Sequence, residues 1–245
     1  MDYLQAIVIA IIQGISEWLP ISSTAHLAAA SKIMQVEPSL FYYALLHLAS
    51  IAALVWYFRK EIPSYFIQEK KLTPQGLYVV LATIPLIIVG MVFHQQISAM
   101  FNNFSMMGVA LIANGAILFF TRFCHGQHTL TLPRALTVGL AQAIAIIPGI
   151  SRSGITISTG FFSGMKRETI ILFSMMLSLP AILGAAVYEA YTASMQLTLP
   201  MLVGCIVAAI TAYITLSFLI NRIREGEFYK YWLYCVAIGI IFLFN

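Results

Sequence analysis

Charged side chains are scarce in this sequence. Only 9% of its 245 residues are Asp, Glu, Lys or Arg, whereas 60% are hydrophobic. An average soluble domain carries about 25% charged residues, and no soluble fold could bury so large an apolar fraction. The scarcity of charge therefore excludes an ordinary soluble domain and predicts an integral membrane protein, for which lipid is the solvent of most of the surface.

Paired cysteines and nucleotide-binding loops are also missing. Cys124, Cys205 and Cys235 fall in or beside different apolar segments without paired spacing, so we expect neither a disulfide nor a metal site from them. The glycine-rich loop of Walker-type nucleotide sites does not occur, so nucleotide binding is not indicated. The net charge of +4 lies in the loops and points to no nucleic-acid partner.

Apolar runs divide the chain into membrane segments, because about 20 helical residues span a bilayer. The predicted spans are 41–58, 77–93, 104–121, 169–187, 201–220 and 231–244. Two further apolar regions, 3–34 and 134–164, are interrupted near the middle by proline and small hydroxylated residues. We expect each to form a helix–turn–helix that enters and leaves on one side, since irregular backbone at that depth must be surrounded by protein or a water-filled cavity.

The order of these segments is one broken pair plus three spans, repeated twice. Three spans in each half require the second half, 128–245, to be inverted relative to the first, 1–127. The sequence thus predicts an all-α integral membrane protein with a single membrane domain, 1–245. The domain would consist of two inverted-topology repeats, each a broken re-entrant helix pair plus three transmembrane helices, and such folds place their sites where discontinuous helices meet near the midplane.

Loop charges predict the orientation. Lys and Arg occur in the loops 59–76, 122–134, 164–168 and 221–230, and neither occurs in 94–103 or 188–200. The positive-inside rule places the first group of loops in the cytoplasm. The first broken pair would then enter from the outer face and the second from the inner face, with Asn245 at the outer face.

Two charged residues lie well inside apolar segments. Glu17 is the only one of nine acidic residues to do so, and Arg152 is the only one of 13 basic residues. A charge at that depth costs about 2.5–3.5 kcal/mol on insertion scales, so a functional role is the default hypothesis. Each residue falls at the break of one helix pair, and together they predict a site that acts on a phosphate group.

The first break carries candidate catalytic groups. Gln13 and Glu17 are four residues apart, so on a helix they share a face and could bind one ligand or ion. Ser22, Ser23 and His26 follow the turn, and the spacing of Ser23 and His26 suits a nucleophile with its base. The structural alternative is that small residues serve close helix packing and that the histidine is a hydrogen-bonded core residue.

The second break is suited to binding an anion. Glycines let backbone amides approach a ligand closely, and a helix that begins near Ser153 would direct its N-terminal amides toward an anion. Arg152 adds a planar, permanently charged fork that fits phosphate oxygens, and Ser151 and Thr156 add hydroxyl donors. The alternative is a kinked turn in which Arg152 is paired structurally with Glu17.

The two breaks closely resemble the signature motifs of the undecaprenyl pyrophosphate phosphatase family, the bacitracin-resistance phosphatases. The segments concerned are Glu-Trp-Leu-Pro-Ile-Ser-Ser-Thr-Ala-His at 17–26 and Pro-Gly-Ile-Ser-Arg-Ser-Gly-Ile-Thr at 148–156, and the resemblance continues through 46–50, 83–85 and 173–180. It implies an enzyme of the cell membrane that removes the terminal phosphate of a C55 isoprenoid diphosphate and so recycles the lipid carrier of cell-wall building blocks. A divalent cation, Mg²⁺ or Ca²⁺, would assist.

The resemblance also assigns positions. The acidic motif of the family falls on Gln13 and Glu17, its hydroxyls on Ser22 and Ser23, its histidine on His26, and its anion-binding motif on Ser151, Arg152, Ser153 and Thr156. Some members have Glu where this chain has Gln13, and Ala25 replaces a common glycine. These departures, with the short chain, leave the number of metal ions and the lipid preference open.

The mechanistic hypothesis combines these groups. Arg152, Ser151, Ser153 and Thr156 hold the diphosphate oxygens, and the cation joins Glu17 and Gln13 to the phosphates. Ser23 attacks the terminal phosphorus or positions a water that does, while His26 is base and then acid. A competing reading is a lipid-phosphate flippase or anion transporter that uses the same midplane site, whereas a structural scaffold leaves the buried charges unexplained. Polyprenyl diphosphate and membrane lipids are the expected partners, and a homodimer stays open.

Overall fold

The computed structural model describes residues 1–101, 103–192 and 196–244, and most of these residues are helical. The two interrupted apolar regions form two broken helix pairs. The first pair is α1 (Tyr3–Ser16) and α2 (Ser23–Met34), and the second is α8 (Leu132–Ile144) and α9 (Arg152–Phe162). The predicted helix–turn–helix arrangement is therefore confirmed in both regions.

Within the described ranges, five helices are long and apolar enough to cross a membrane. They are α3 (Leu40–Tyr57), α5 (Pro74–Val92), α7 (Phe104–Phe120), α10 (Arg167–Thr192) and α11 (Leu199–Arg224). The sixth predicted span is α12 (Tyr231–Leu243), a helix of 13 residues preceded by a 3₁₀ turn at Phe228–Lys230. At about 1.5 Å per residue, α12 is shorter than the roughly 30 Å hydrocarbon core. The chain is a multi-pass, all-α membrane protein.

The predicted loops contain ordered elements that apolar periodicity could not reveal. Loop 59–76 includes α4 (Glu61–Phe66) and a hairpin of β1 (Ile67–Gln68) with antiparallel β2 (Lys71–Leu72). The two hairpin turn residues both have positive φ, as a tight hairpin turn of the primed type requires. Loop 94–103 includes α6 (His94–Met100), and α10 extends past the predicted start of loop 188–200. Residues 193–195 of that loop, Asn102 and Asn245 lie outside the described residues.

The long helices pack in pairs along their lengths. α1 lies along α11, α8 lies along α5, α7 lies along α12, and α3 contacts both α10 and α11. Small residues allow these close approaches, as is usual between helices in lipid. A side chain added at Gly108 or Gly239 would meet the backbone carbonyl of the other at 2.7 Å. The first broken pair packs through α1 on α11 and α3, and the second packs through α8 and α9 on α5, α7 and α10.

Candidate active site

A buried ion pair joins the two helix breaks. Arg152 Nη2 donates to Glu17 Oε1 at 2.7 Å, and the side chains are only 16% and 4% exposed. The arginine also lies over the indole ring of the fully buried Trp18, 5.8 Å from its centroid. The two charges that stood out in the sequence therefore meet directly, although 135 residues separate them.

Glu17 is the centre of the polar cluster. Its second oxygen, Oε2, accepts hydrogen bonds from Ser23 Oγ and Gln13 Nε2, each at 3.0 Å. His47 Nδ1 lies 3.5 Å from the same oxygen and 3.1 Å from Gln13 Nε2. One carboxylate thus contacts an arginine, a serine hydroxyl, an amide and an imidazole.

The local backbone explains how the first break presents these groups. Glu17 caps the C-terminus of α1, and its N–H donates to the carbonyl of Gln13. Ser22 then takes φ 68°, a left-handed conformation that is unfavourable for a residue with a side chain, and α2 begins at Ser23. The reversal brings Ser23 back beside Glu17, and strain of this kind is common at functional sites.

The second break is built to begin a helix at the site. Ser151 is the N-cap of α9, and its Oγ accepts the Gly154 N–H at 3.2 Å. Gly149 has φ 103°, and a side chain there would meet the Met107 carbonyl at 2.6 Å, so the turn needs glycine. The first amides of α9 have no partner within the helix and carry partial positive charge, as an anion site requires.

The predicted substrate-binding hydroxyls have protein partners. Ser151 Oγ and Ser153 Oγ both donate to the carbonyl of Leu19, at 3.4 and 3.2 Å. Thr156 Oγ1 bonds to the Arg152 carbonyl at 2.8 Å and to Ser174 Oγ at 2.7 Å. The two serine bonds tie the second break to the first. The substrate-binding role of the three hydroxyls stays a prediction.

The remaining two predicted groups, Ser22 and His26, face different surroundings. Ser22 Oγ is buried and has no hydrogen-bond partner among the described residues. His26 does not bond to Ser23 as its spacing suggested. Its Nδ1 contacts the Ser22 carbonyl at 2.8 Å and its Nε2 contacts Tyr234 Oη at 2.7 Å, whereas the proton of Ser23 points to Glu17. The expected nucleophile–base pair is therefore replaced by two other pairs.

Comparison with known proteins finds matches over nearly the full chain. A family model described as "Bacitracin resistance protein BacA" matches residues 6–241. The chain belongs to the BacA family. Three similar proteins are each named "Undecaprenyl-diphosphatase". That of Korarchaeum cryptofilum (strain OPF8) is 36% identical over 99% of each chain. That of Methanobrevibacter smithii is 36% identical over 98% of this chain and 96% of its own, and that of Alcanivorax borkumensis is 34% identical over 100% and 99%.

Asn114 is a site residue of this BacA-family chain that the sequence reasoning missed. It lies fully buried on α7, where its Nδ2 donates to the Pro20 carbonyl at 2.8 Å and its Oδ1 accepts the Ser151 N–H at 3.2 Å. Cys235 Sγ donates to the same Pro20 carbonyl at 3.3 Å. Asn114 therefore joins the backbones of both breaks. The sequence feature that could have identified Asn114 is a single amide side chain within an otherwise apolar span.

The sequence reasoning also missed His47 and Tyr234. Each is a neutral polar side chain inside an apolar run, on α3 and α12, and a search for charged residues passes over them. His47 lies in the segment 46–50 that carries the family resemblance, and it brings the imidazole beside Glu17. Tyr234 contacts His26 from the other end of the chain.

The oxygen-bearing side chains around Glu17 determine whether a divalent cation could bind there. The described part of the BacA-family chain has no cluster of three or more His, Cys, Asp or Glu residues that could hold a metal ion. Gln13 Oε1, however, is buried without a hydrogen-bond partner among the described residues, beside the Glu17 carboxylate. Mg²⁺ commonly binds through one or two carboxylates plus substrate phosphates. These two side chains therefore fit a cation shared with a phosphate ligand, not a metal enclosed by protein alone.

Proposed function

We propose that this chain hydrolyses undecaprenyl diphosphate to undecaprenyl phosphate and inorganic phosphate in the cell membrane, and thereby recycles the lipid carrier of the cell envelope. The full-length relatives named for this reaction support the substrate and the chemistry. The observation that carries the proposal is the buried contact of Glu17 with both Arg152 and Ser23. This contact supports the proposal because the proposed anion-binding group and the proposed nucleophile both contact one carboxylate.

Arg152 and the N-terminus of α9 bind the diphosphate. Only one guanidinium nitrogen, Nη2, bonds to Glu17, so the remaining N–H donors can bind phosphate oxygens in a fork geometry. The free amides of the first turn of α9 add partial positive charge at the same place. Because Arg152 is largely buried, these contacts act in a low dielectric and stabilise the charge that develops during transfer.

Ser23 supplies the nucleophile. Its hydroxyl donates to Glu17 Oε2 at 3.0 Å, so the proton passes to Glu17 as the serine oxygen attacks the terminal phosphorus. The bond from that phosphorus to the bridging oxygen breaks, and undecaprenyl phosphate leaves with the electron pair. Water then hydrolyses the phosphoserine to inorganic phosphate, the proton returns to Ser23, and His26 is the proposed acid–base group for that water.

A divalent cation, Mg²⁺ or Ca²⁺, would be held by Glu17 and Gln13 and would supply positive charge to the phosphate oxygens. Its removal is expected to weaken both binding and turnover. The buried, unpartnered Gln13 oxygen supports this assignment.

The two halves form inverted repeats in this proposal. Helix pairings support it, because matching the broken pairs makes α1 correspond to α8, α3 to α10, α5 to α11 and α7 to α12. The α1–α11 pairing then has its counterpart in α8–α5, and α3–α11 in α10–α5, while α3–α10 and α7–α12 join corresponding helices.

In a cysteine-free background, an impermeant thiol reagent should label a cysteine at position 96 in intact cells and leave one at position 60 unlabelled. Labelling of position 60 instead would refute the orientation.

Phosphate release from the purified protein tests the activity. The expected result is release from undecaprenyl diphosphate in detergent, loss of release with chelator, and recovery on adding Mg²⁺ or Ca²⁺. Comparison of C55 with shorter prenyl diphosphates measures the lipid preference. Because no vectorial transport can occur in detergent, a protein that releases no phosphate there would instead be a flippase or anion transporter. Mass measurement of the same sample shows whether the chain forms a homodimer.

A further inference from the structure

The hydrogen bonds of His26 determine which nitrogen carries the proton. Nδ1 lies 2.8 Å from the carbonyl oxygen of Ser22, which can only accept, so Nδ1 must be the donor. In the neutral imidazole Nε2 is then the basic nitrogen. The Tyr234 hydroxyl lies 2.7 Å from Nε2 and donates to it. The ring therefore has a defined tautomer, and its basic side faces α12 and not Ser23.

Tyr234 is held in position to make this bond. Its ring stacks on the imidazole with an interplanar angle of 12° and a centroid distance of 5.6 Å. The same residue lines an open cavity of about 390 Å³, whose walls include Leu19 and Phe218 as well as the charged Arg222, Glu227 and Lys230.

We propose that Tyr234 fixes the orientation of the His26 ring, whose tautomer is set by the Ser22 carbonyl, and connects Nε2 to the hydrolytic water. The proposal rests on the proposed function, because it concerns the acid–base role assigned to His26. A phenol hydroxyl can both donate and accept. It donates to Nε2 of the neutral ring. When the hydrolytic water loses its proton, the phenol passes its own proton to Nε2 and takes the proton of the water, so the bond reverses and the tyrosine oxygen accepts. One contact thus holds the imidazole in both protonation states of a catalytic cycle.

Two separate proton paths follow from this arrangement. Ser23 passes its proton to Glu17, so nucleophile activation does not need His26. His26 accepts the proton of the hydrolytic water instead, through Tyr234. The orientation of the His26 ring depends on Tyr234 of α12. Loss of Tyr234 should then reduce turnover without reducing substrate binding, because Arg152 and the α9 amides stay in place.

Tyr231 provides a matched control. It lies one helical turn before Tyr234 on α12 and lines the same cavity. Its hydroxyl is buried and has no hydrogen-bond partner among the described residues. Tyr231→Phe and Tyr234→Phe therefore make the same chemical change on one helix, and only the second removes a bond to His26.

Kinetics of phosphate release from undecaprenyl diphosphate tests the proposal. For Tyr234→Phe we expect kcat to fall by about 3- to 10-fold, the usual effect of one hydrogen bond, with KM within about twofold. Tyr231→Phe should match the wild type. The double variant His26→Gln with Tyr234→Phe should be no slower than His26→Gln alone, since both changes act on one group. A Tyr234→Phe enzyme with the kcat of Tyr231→Phe would overturn the proposal.

A second measurement does not depend on activity or on a variant that folds. The ¹⁵N spectrum of histidine-labelled wild-type protein should show His26 protonated on Nδ1, with a hydrogen-bonded Nε2. Tyr234→Phe should shift the Nε2 resonance, and Tyr231→Phe should not. Protonation on Nε2 in the wild type would also overturn the proposal. If His26→Gln keeps full activity while the spectrum is as expected, the catalytic role of His26 fails and the positioning contact stands.

Discussion

Two of the carboxylate–guanidinium pairs among the described residues, Arg224–Glu168 and Arg152–Glu17, are chemically alike and differ in their surroundings. Arg224 contacts Glu168 through two hydrogen bonds, at 3.0 and 3.2 Å, between the ends of α11 and α10, with side chains 51% and 66% exposed. Arg152 contacts Glu17 through one bond, with both side chains largely buried. The surface pair has the better fork geometry, yet exposed pairs contribute only about 0–1 kcal/mol. We therefore expect burial, not pairing geometry, to distinguish the pair with the proposed catalytic role from the exposed pair.

The sharpest test of this comparison removes the negative charge from each pair. Glu17→Gln should lower kcat at least about 1,000-fold, because the amide cannot take the Ser23 proton and Arg152 loses its buried partner. Phosphate release from undecaprenyl diphosphate measures the change. Glu168→Gln makes the same substitution at the surface and is the matched control. A Glu17→Gln enzyme with near-normal turnover would remove the basis of the mechanism.

Replacement of the arginines should have the next largest effect. Arg152→Lys keeps the positive charge and removes the planar fork, so we expect kcat/KM to fall by about 10- to 100-fold. The loss should come partly through KM, because the diphosphate is bound as well as activated by this group. Arg224→Lys is the control, and equal losses in the two variants would show that burial is not the deciding factor.

Substitution of Asn114 tests whether its bonds to the two helix breaks support the buried pair of Glu17 and Arg152. Asn114→Ala leaves the Pro20 carbonyl and the Ser151 N–H without their amide partner, so we expect a loss of about 1–3 kcal/mol in unfolding free energy. Activity should fall as well, by about 10-fold, because Glu17 and Arg152 would no longer be held in register. Thermal unfolding and phosphate release measure the two effects. Asn221→Ala, at the exposed end of α11, should change neither.

The smallest effect is expected at the surface pair itself. Glu168→Gln should leave kcat within about twofold and change unfolding free energy by no more than about 1 kcal/mol. Raising the salt concentration should reduce even that difference, because exposed charges are screened. A large loss of activity in this variant would mean that the ends of α10 and α11 communicate with the site.

Much of the site could be predicted because charge inside an apolar segment is costly. That cost separates Glu17 and Arg152 from every other charged residue, and proline followed by small hydroxylated residues marks both breaks. Neutral polar side chains carry no such signal. Asn114, His47 and Tyr234 each occur within apolar helices, where a single amide, imidazole or phenol does not disturb the hydropathy pattern.

Sequence spacing gave a wrong prediction for the hydrogen-bond partners of Ser23 and His26. Ser23 and His26 are three residues apart on α2, which predicts a bond between them. The left-handed backbone at Ser22 turns Ser23 toward Glu17 instead, and Tyr234 from α12 takes the imidazole. A spacing rule describes one helix, whereas the competing partners belong to other segments.

The sequence by itself determined the membrane class, the positions of five spans and two breaks, and the two charged residues that lie inside apolar segments. The reason is that bilayer thickness and the cost of buried charge act on local composition. Only the tertiary structure decided which groups touch within the site. The deciding bonds join residues 34, 135 and 208 positions apart, and such pairs depend on how the helices pack, which no local pattern specifies.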